Sequence, residues 1–337
     1  MRLSRREAIK LGAIGALATP FVLQFGRAYA AEYIFKIGTD GPLTDPTVRE
    51  ILVAAERIKE RTNGTVEFQI FPNSALGAGT SMIGPVKSGA VEGYYLTSAI
   101  LANVSPDAAI SGIPFAFDSY EAVWKAMDGE LGDQIKASVR AVGLEPFGKV
   151  LDLGFRQVLT NKPVEAVDDL DGVKLRVPQS PLYVGLFRSL GALPTPLNFS
   201  EVYPSLQTKI VDGTEGPLNV ILNSKLYEVT KYIAMTNHMW DGFWLTMNPA
   251  FLERLPKESY DIVLEECNDA ADRVRQSLVN DEKTSTETLM AKGITFTEPD
   301  IASFREKLTE SGFYAEWKEK FSPETWAALE KAAGQPL

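Results

Sequence analysis

Residues 33–71 spell a β-strand, a capped helix and a second β-strand, and that order restricts the fold more than any other feature. The stretch 33–38 is rich in β-formers and ends in the turn cluster Thr39-Asp40-Gly41-Pro42. Asp45 is placed to cap a helix whose first turn holds Pro46. Val48, Ile51, Leu52, Ala55 and Ile58 recur at helical spacing until Asn63-Gly64, and Val66–Phe71 reads as the second strand. A β-α-β opening is the unit from which right-handed parallel sheets are built. The alternation continues, with strands expected over 91–97, 145–153, 173–177, 194–197, 232–237, 242–248 and 294–297, and another entered at 211–213. Helices are expected over 82–88, 120–142 (one or two), 181–190, 201–208 and 222–229, from Pro249 to about 292, and onward to 333. This is an α/β chain with no internal repeat, no low-complexity tract and no floppy linker. If it has two lobes, it crosses between them on structured segments, as a hinge requires.

The first thirty residues read as an address. Arg5-Arg6 lies in a basic segment, an apolar run follows over 11–25, and Ala28-Tyr29-Ala30 offers a small-x-small cleavage pattern. A transmembrane helix needs about twenty apolar residues, so the run is short, and it is interrupted by Gly12, Gly15 and Pro20. The arginine pair favours twin-arginine export; an ordinary Sec signal carrying two arginines is the alternative. Either route places the mature chain, which starts near Ala31, in the periplasm, without stable membrane insertion. Removing 1–30 takes away five basic residues and one acid, which moves the formal charge from −10 to about −14. A net-acidic surface argues against nucleic acid and anionic membranes as partners. An anionic ligand would then need a local positive site. The single cysteine, Cys267, and single histidine, His238, exclude a disulfide framework, a zinc cluster and a Cys–His catalytic pair with a credible third member. No cofactor motif is present, and none is expected.

Arg156 and Arg176 each follow apolar strand-like residues, and a guanidinium beside a cleft is the natural partner of a carboxylate because its planar fork can bind both oxygens. From position alone, a surface or structural ion-pair role for either arginine stays open. His238 reads as a hydrogen-bonded structural residue, since no serine or cysteine motif partners it. Trp240, Phe243 and Trp244 could line a pocket or pack in the core. The turns 38–42 and 213–217 are both strand exits, where ligands sit in open α/β sheets.

Four segments in the middle of the chain carry a family resemblance: Lys174-Leu175-Arg176-Val177-Pro178, then 190–197, then Phe199-Ser200-Glu201-Val202-Tyr203, then Val211-Asp212-Gly213-Thr214-Glu215. Their order and spacing resemble the signature of solute-binding proteins of TRAP-type transporters. The similarity extends from Ile34 to the C-terminal helices and is most specific from Arg156 to His238. It implies a periplasmic binding-protein fold of two α/β lobes with a hinge and a long helix spanning both. Carried over, one lobe comprises 33–154 plus 242–281 and the other 155–241 plus 282–337.

The resemblance makes Arg176 the carboxylate clamp, joined by Arg156, with Glu215 and His238 holding a polar network behind it. It brings Asp40, Thr97, Ser98, Gln179, Phe199, Gly216 and Trp240 to the ligand. Gly216 replaces the asparagine of sialate binders, and Gly79 and Thr97 replace acidic positions, which argues against sialic acid. A hydroxylated or aromatic acid fits better than a plain aliphatic one. The implied function is binding without chemistry and delivery to membrane permease subunits, by a monomer because closure needs free lobes. The competing readings are an exported hydrolase using Asp40 and Glu215 as acid and base, and a binding protein that feeds a sensor kinase.

Overall fold

The computed structural model describes residues 31–334 and 336. The export signal expected at 1–30 lies outside the described residues. The strands, in chain order, are β1 (Tyr33–Thr39), β2 (Val66–Phe71), β3 (Gly93–Thr97), β4 (Glu145–Phe155), β5 (Gln157–Thr160), β6 (Lys174–Val177), β7 (Leu193–Pro196), β8 (Gly213–Gly216), β9 (Tyr232–Ala234), β10 (Trp240–Met247) and β11 (Thr295–Thr297). They form two sheets, one ordered β2-β1-β3-β10-β4 and the other β11-β9-β5-β8-β6-β7. In the first, β1 runs parallel to β2 and β3, while β10 is antiparallel to β3 and β4. In the second, β6 runs parallel to β7 and β8, and β5 is antiparallel to β8 and β9.

The opening unit forms for the reasons visible in its sequence. Asp45 accepts a hydrogen bond from Thr47 N at 2.8 Å and caps the helix Pro46–Arg61. That helix buries Val48, Ile51, Ala54, Ala55 and Ile58. Ile51, Ala55 and Ile58 share a core with Phe35 and Ile37 of β1 and with Val263, Cys267 and Val274 of the long helix Lys257–Ala291. Cys267 is therefore a small core residue, and burial pushes its thiol up to about 12. The long helix has 35 residues and a length of roughly 50 Å at 1.5 Å per residue. It packs on the helix Pro46–Arg61 and β4 of the first sheet and reaches the helix Leu218–Asn223 beside the second, so it spans both.

Besides the long helix, which leads from β10 of the first sheet to β11 of the second, the chain passes between the sheets on two short, adjacent segments. Only Arg156 separates β4 from β5, and 235–239 joins β9 to β10. The two crossings are tied together, since Arg156 N donates to Met239 O at 2.9 Å and His238 N to Arg156 O at 3.3 Å. Gly154 precedes the first crossing at φ +103°, in the left-handed region, where an added Cβ would lie 3.3 Å from the Tyr120 hydroxyl.

Several elements differ from expectation. The buried strand β5 is not among the expected strands; β4 runs past the expected end at 153 to Phe155, and the switch of sheet after it makes β5 a separate strand. The expected strand 232–237 stops at Ala234 because the following residues leave the second sheet, and β10 starts at Trp240 rather than 242. The helix expected at 222 begins at Leu218, right after Pro217, and Pro256 interrupts the helical region that opens at Pro249. The larger correction concerns the C-terminus. The helix Pro323–Ala333 packs on the helices Tyr120–Met127 and Glu130–Ala141, beside the first sheet. Trp326 and Leu329 share a core with Leu131 and Ile135, and Asp107 anchors Ser322 through its N and Oγ at 2.9 and 2.7 Å. Residues 323–333 thus sit with the first unit, not the second.

Candidate functional site

The carboxyl ends of β1, β3, β6 and β8 converge on a cleft between the two sheets, with about 840 Å³ of space between atoms, part of it open to solvent. This is where open α/β sheets place ligands, because the exits of parallel strands leave turns and backbone N–H groups facing a crevice. Asp40, Gly79 and Thr97 line it from the first sheet's side, and Arg176, Gln179, Asn198, Phe199 and Gly216 from the second's. Arg156, Glu215 and Asp241 form its floor at the crossing.

The two arginines have different surroundings. Arg156 is bound in a fork by Glu215, with Nη2 to Oε1 at 2.8 Å and Nε to Oε2 closer still, and its Nη1 lies 3.8 Å from Asp241 Oδ2. The guanidinium also lies over the Tyr183 ring, 5.2 Å from its centroid, and the Tyr183 hydroxyl donates to Asp241 Oδ2 at 3.0 Å. Arg176 is 4% exposed and sits on the second sheet's wall, with Nε and Nη2 donating to Leu197 O at 3.1 and 2.7 Å. Among the described residues no carboxylate forms an ion pair with it. Burial outweighs the pull of Glu215 and pushes the Arg176 guanidinium down to about 10.

Burial alone would raise the Glu215 carboxyl, but the Arg156 charge and hydrogen bonds from Arg156 and His238 overcome it and hold the group at about 2. A carboxylate fixed as an anion in a bidentate pair is not available as a general acid at neutral pH. His238 lies behind Glu215, with Nε2 at 3.5 Å from Oε2 and Nδ1 at 2.8 Å from Thr236 Oγ1. Burial lowers its pKa against the opposing pull of Glu215, so the ring is neutral at pH 7. Asp241 is pushed up to about 6 by burial, against the charge of Arg156.

Asp40 extends from the first strand exit. Its Oδ1 accepts from Ser74 Oγ and is met by the Tyr94 hydroxyl, both at 2.7 Å, while Oδ2 takes Gly79 N at 3.3 Å. Thr97 lines the cleft and its Oγ1 accepts from Ile100 N at 3.3 Å. Phe199 lies under Arg176, its ring centroid 6.0 Å from the guanidinium carbon. At Gly216 an added Cβ would meet only Arg156 Nη2, at 3.8 Å, so this wall has room. Two hydrogen bonds join the sheets' loops above the cleft: Thr80 Oγ1 donates to Gln179 Oε1 at 2.9 Å and Asn103 Nδ2 to Gln179 O at 2.7 Å.

Two expected contacts fall elsewhere. Trp240 is fully buried and its Nε1 donates to Asp152 Oδ1 at 2.8 Å. Side chains alternate along a strand, so Asp241 and Phe243 of β10 line the cleft and Trp240 faces away. Ser98 is the first residue of the short helix Ser98–Leu101, turned inward, where its Oγ accepts from Trp244 Nε1 at 3.1 Å. Sequence reasoning also missed Asn198 in the cleft wall. Its one available signal was a carboxamide set between Leu197 and Phe199 in a motif already singled out.

The model of the DctP family, bacterial extracellular solute-binding protein family 7, matches residues 37–320. A solute-binding protein of Roseobacter denitrificans is 31% identical over 302 residues, 88% of this chain and 91% of the relative. The 2,3-diketo-L-gulonate-binding periplasmic protein YiaO of Escherichia coli is 31% identical over 256 residues, 74% of this chain and 77% of the relative. A TRAP periplasmic solute-binding protein from Polaromonas, solved with bound D-erythronate, superimposes with a TM-score of 0.84 at 27% identity, covering 90% of this chain and 99% of the other. The Roseobacter protein, solved with bound L-galactonate, gives 0.83 at 29% identity, with 90% and 99% covered. The two-sheet fold, the cleft at the strand exits and a family match over most of the described chain converge: this chain belongs to the DctP family of bacterial extracellular solute-binding proteins, the solute binders of TRAP transporters.

Proposed function

We propose that this chain captures an organic acid in the cleft through Arg176, closes over it, and delivers it in the periplasm to the membrane permease subunits of a TRAP transporter. The observation that carries this reading is the charge on Arg176. A buried guanidinium with no protein carboxylate is costly, and a ligand carboxylate offers both the opposite charge and the geometry for hydrogen bonds. Arg156 adds positive potential at the floor, but its fork is committed to Glu215, so Arg176 dominates affinity. Glu215 and His238 act through Arg156 by fixing its orientation. Asp40, Thr97, Gln179, Phe199 and Gly216 contact the remainder of the ligand. Sugar acids are the compounds to try first, because relatives are known with L-galactonate and D-erythronate bound.

The moving bodies we propose are 33–154 plus 242–281, with 323–333 added, against 155–241 plus the rest of 282–337. The paired crossings at 154–156 and 235–239 are the hinge, and the Gln179 contacts with Thr80 and Asn103 latch the closed state. Closure brings Gly79 against Asn198: a Cβ at Gly79, whose φ is +51°, would lie 2.7 Å from Asn198 Oδ1. Gly79→Ala is expected to hold the cleft ajar and weaken binding at least about tenfold, with the left-handed backbone adding roughly 1 kcal/mol of strain. Small-angle scattering with saturating ligand should report a radius of gyration that stays near the ligand-free value. Full ligand-induced compaction of this variant would contradict the proposed closure.

The direct test is a thermal-shift screen of the mature chain with sugar acids, keto acids, C4-dicarboxylates and aromatic acids. A ligand at about 100 times its Kd adds about 2.7 kcal/mol to stability, well within the sensitivity of the method. A shift from one class of acid supports capture. No shift from any acid, together with no acid released on denaturation and found by mass spectrometry, would overturn it.

A further inference from the structure

Between Arg176 and Gly79 the cleft wall carries a group that no fold contact uses. Asn198 follows Leu197, the residue whose carbonyl takes both Nε and Nη2 of Arg176, and Asn198 and Arg176 line the same cleft. Asn198 Oδ1 is buried and has no hydrogen-bond partner among the described residues, and Nδ2 donates to none. The residue's backbone serves the local turn instead: its N donates to Glu201 Oε2 at 3.0 Å and its O accepts from Glu201 N at 3.1 Å. The backbone is anchored and the side chain is left over. Across the cleft stand Gly79, held close to Oδ1, and Asp40, whose Oδ2 takes a single long bond from Gly79 N. Gln179, next to the latch, uses its Oε1 and backbone O for Thr80 and Asn103, and its Nε2 has no hydrogen-bond partner among the described residues.

Around Gly79 the two sides of the cleft therefore offer acceptors (Asn198 Oδ1, Asp40 Oδ2) and donors (Asn198 Nδ2, Gln179 Nε2) close together. Exchanging the oxygen and nitrogen of the Asn198 amide leaves one donor and one acceptor facing the cleft, so the point is independent of that assignment. A hydroxyl both donates and accepts, and answers such a wall completely. A carboxylate only accepts: it would leave Asn198 Oδ1 unmatched and stand against Asp40. An ammonium only donates: it would leave the amide N–H groups unmatched and add a second cation to a cleft that already holds Arg176. A hydrocarbon answers none of them. Polar groups left unpaired in a closed cleft are what makes a site reject the wrong ligand.

We infer that Asn198 is the specificity-determining residue of this cleft, reading a ligand hydroxyl together with Asp40 and Gln179, which with it surround Gly79, so that the site selects polyhydroxylated monocarboxylic acids over dicarboxylates, zwitterions and unsubstituted acids. The inference rests on the proposed capture of a carboxylate by Arg176 and names the ligand class that capture serves.

The test is titration calorimetry of the mature wild-type chain with L-galactonate, D-gluconate and D-erythronate. The tightest of these is then compared with the unsubstituted acid of the same chain length (hexanoate or butanoate), with the corresponding aldarate, and with the 2-amino analogue. The hydroxy acid is expected to bind at least about tenfold tighter than each of the three. Asn198→Leu, nearly the same size, is expected to remove at least about tenfold of the affinity for the hydroxy acid while leaving the unsubstituted acid unchanged or tighter. Equal binding of any of the three comparison acids by wild type overturns the inference, as does an unchanged ratio in Asn198→Leu or no binding of any hydroxy acid. If Asn198→Leu does not fold, the wild-type ratios decide. Arg176→Met separates the two readings. Lost binding there with an unchanged Asn198→Leu ratio leaves capture standing and removes hydroxyl reading; unchanged binding in Arg176→Met removes capture itself.

Discussion

Arg176→Met is expected to lose carboxylate binding while the ligand-free protein melts at the same temperature as wild type or a few degrees higher. Removing one partner of a buried, hydrogen-bonded charge pair costs about 2–5 kcal/mol, which corresponds to at least about 30-fold in affinity. The stability half of the expectation follows from burial. The Arg176 guanidinium is lowered from its ordinary value of 12.5 to about 10. For a base with a depressed folded pKa, the folded state disfavours the charged form. The resulting cost is complete at neutral pH and is relieved only as pH rises from about 10 toward 12.5. A shift of this size is worth about 3 kcal/mol in order of magnitude. Against it stands the loss of both donors to Leu197 O, about 1–3 kcal/mol if that carbonyl is left unsatisfied. The two nearly cancel or leave a small gain. Differential scanning calorimetry without ligand and titration calorimetry with it measure both halves. A ligand-free melting temperature many degrees below wild type would mean that Arg176 is a structural residue.

Arg156→Met should behave in the opposite way. Glu215 is 3% exposed and its anion is compensated by Arg156. Deleting the cation leaves an unpaired buried charge, which costs roughly 3–5 kcal/mol and lowers the melting temperature by on the order of 10 °C. The pH dependence has a definite sign. In wild type the Glu215 pKa is depressed from 4.5 to about 2, so its contribution is present above 4.5 and lost as pH falls through about 2. Without Arg156, burial dominates and the folded-state pKa rises above 4.5. The penalty is then largest at neutral pH and shrinks on acidification toward 4.5, as the carboxyl takes up a proton. The melting-temperature gap between wild type and Arg156→Met should narrow between pH 7 and pH 4.5. The double variant Arg156→Met with Glu215→Leu should recover most of the lost stability, since replacing a whole buried pair by apolar groups is often nearly neutral. A gap that stays constant with pH, with no recovery in the double variant, would show that the pair is not what stabilises the crossing.

The contrast between these two arginines also marks where the sequence was legible. The opening β-α-β unit was readable because its information is local: Asp45, Pro46 and the spacing from Val48 to Ile58 specify a capped amphipathic helix whatever surrounds it. The strand exits at 38–42 and 213–217 were readable for the same reason, while Asp40, Thr97, Arg176 and Gly216 were named as site residues through the family resemblance; all four line the cleft. Trp240 and Ser98 were not, because a strand's two faces and a helix's first turn look alike in sequence until the other sheet layer fixes which side is the cleft. The bulges in β10 at Asp241/Gly242 and Phe243/Leu245 blur that alternation further. The helix Pro323–Ala333 was assigned to the wrong unit because nothing in its own residues names Asp107, 215 residues earlier, as its anchor.

The sequence by itself therefore determined the α/β class, the order of elements, the family and the presence of two arginines at strand ends. Only the tertiary structure decided which arginine is free. Arg156 meets Glu215 across 59 residues of chain because β5 and β8 lie side by side, while Arg176, on the neighbouring strand, donates to the Leu197 carbonyl, lies over the Phe199 ring and, among the described residues, pairs with no carboxylate. Local pattern encodes backbone conformation, which depends on near neighbours. The pairing of buried charges depends on which distant strands the fold sets next to one another, and that is settled by packing of the whole chain.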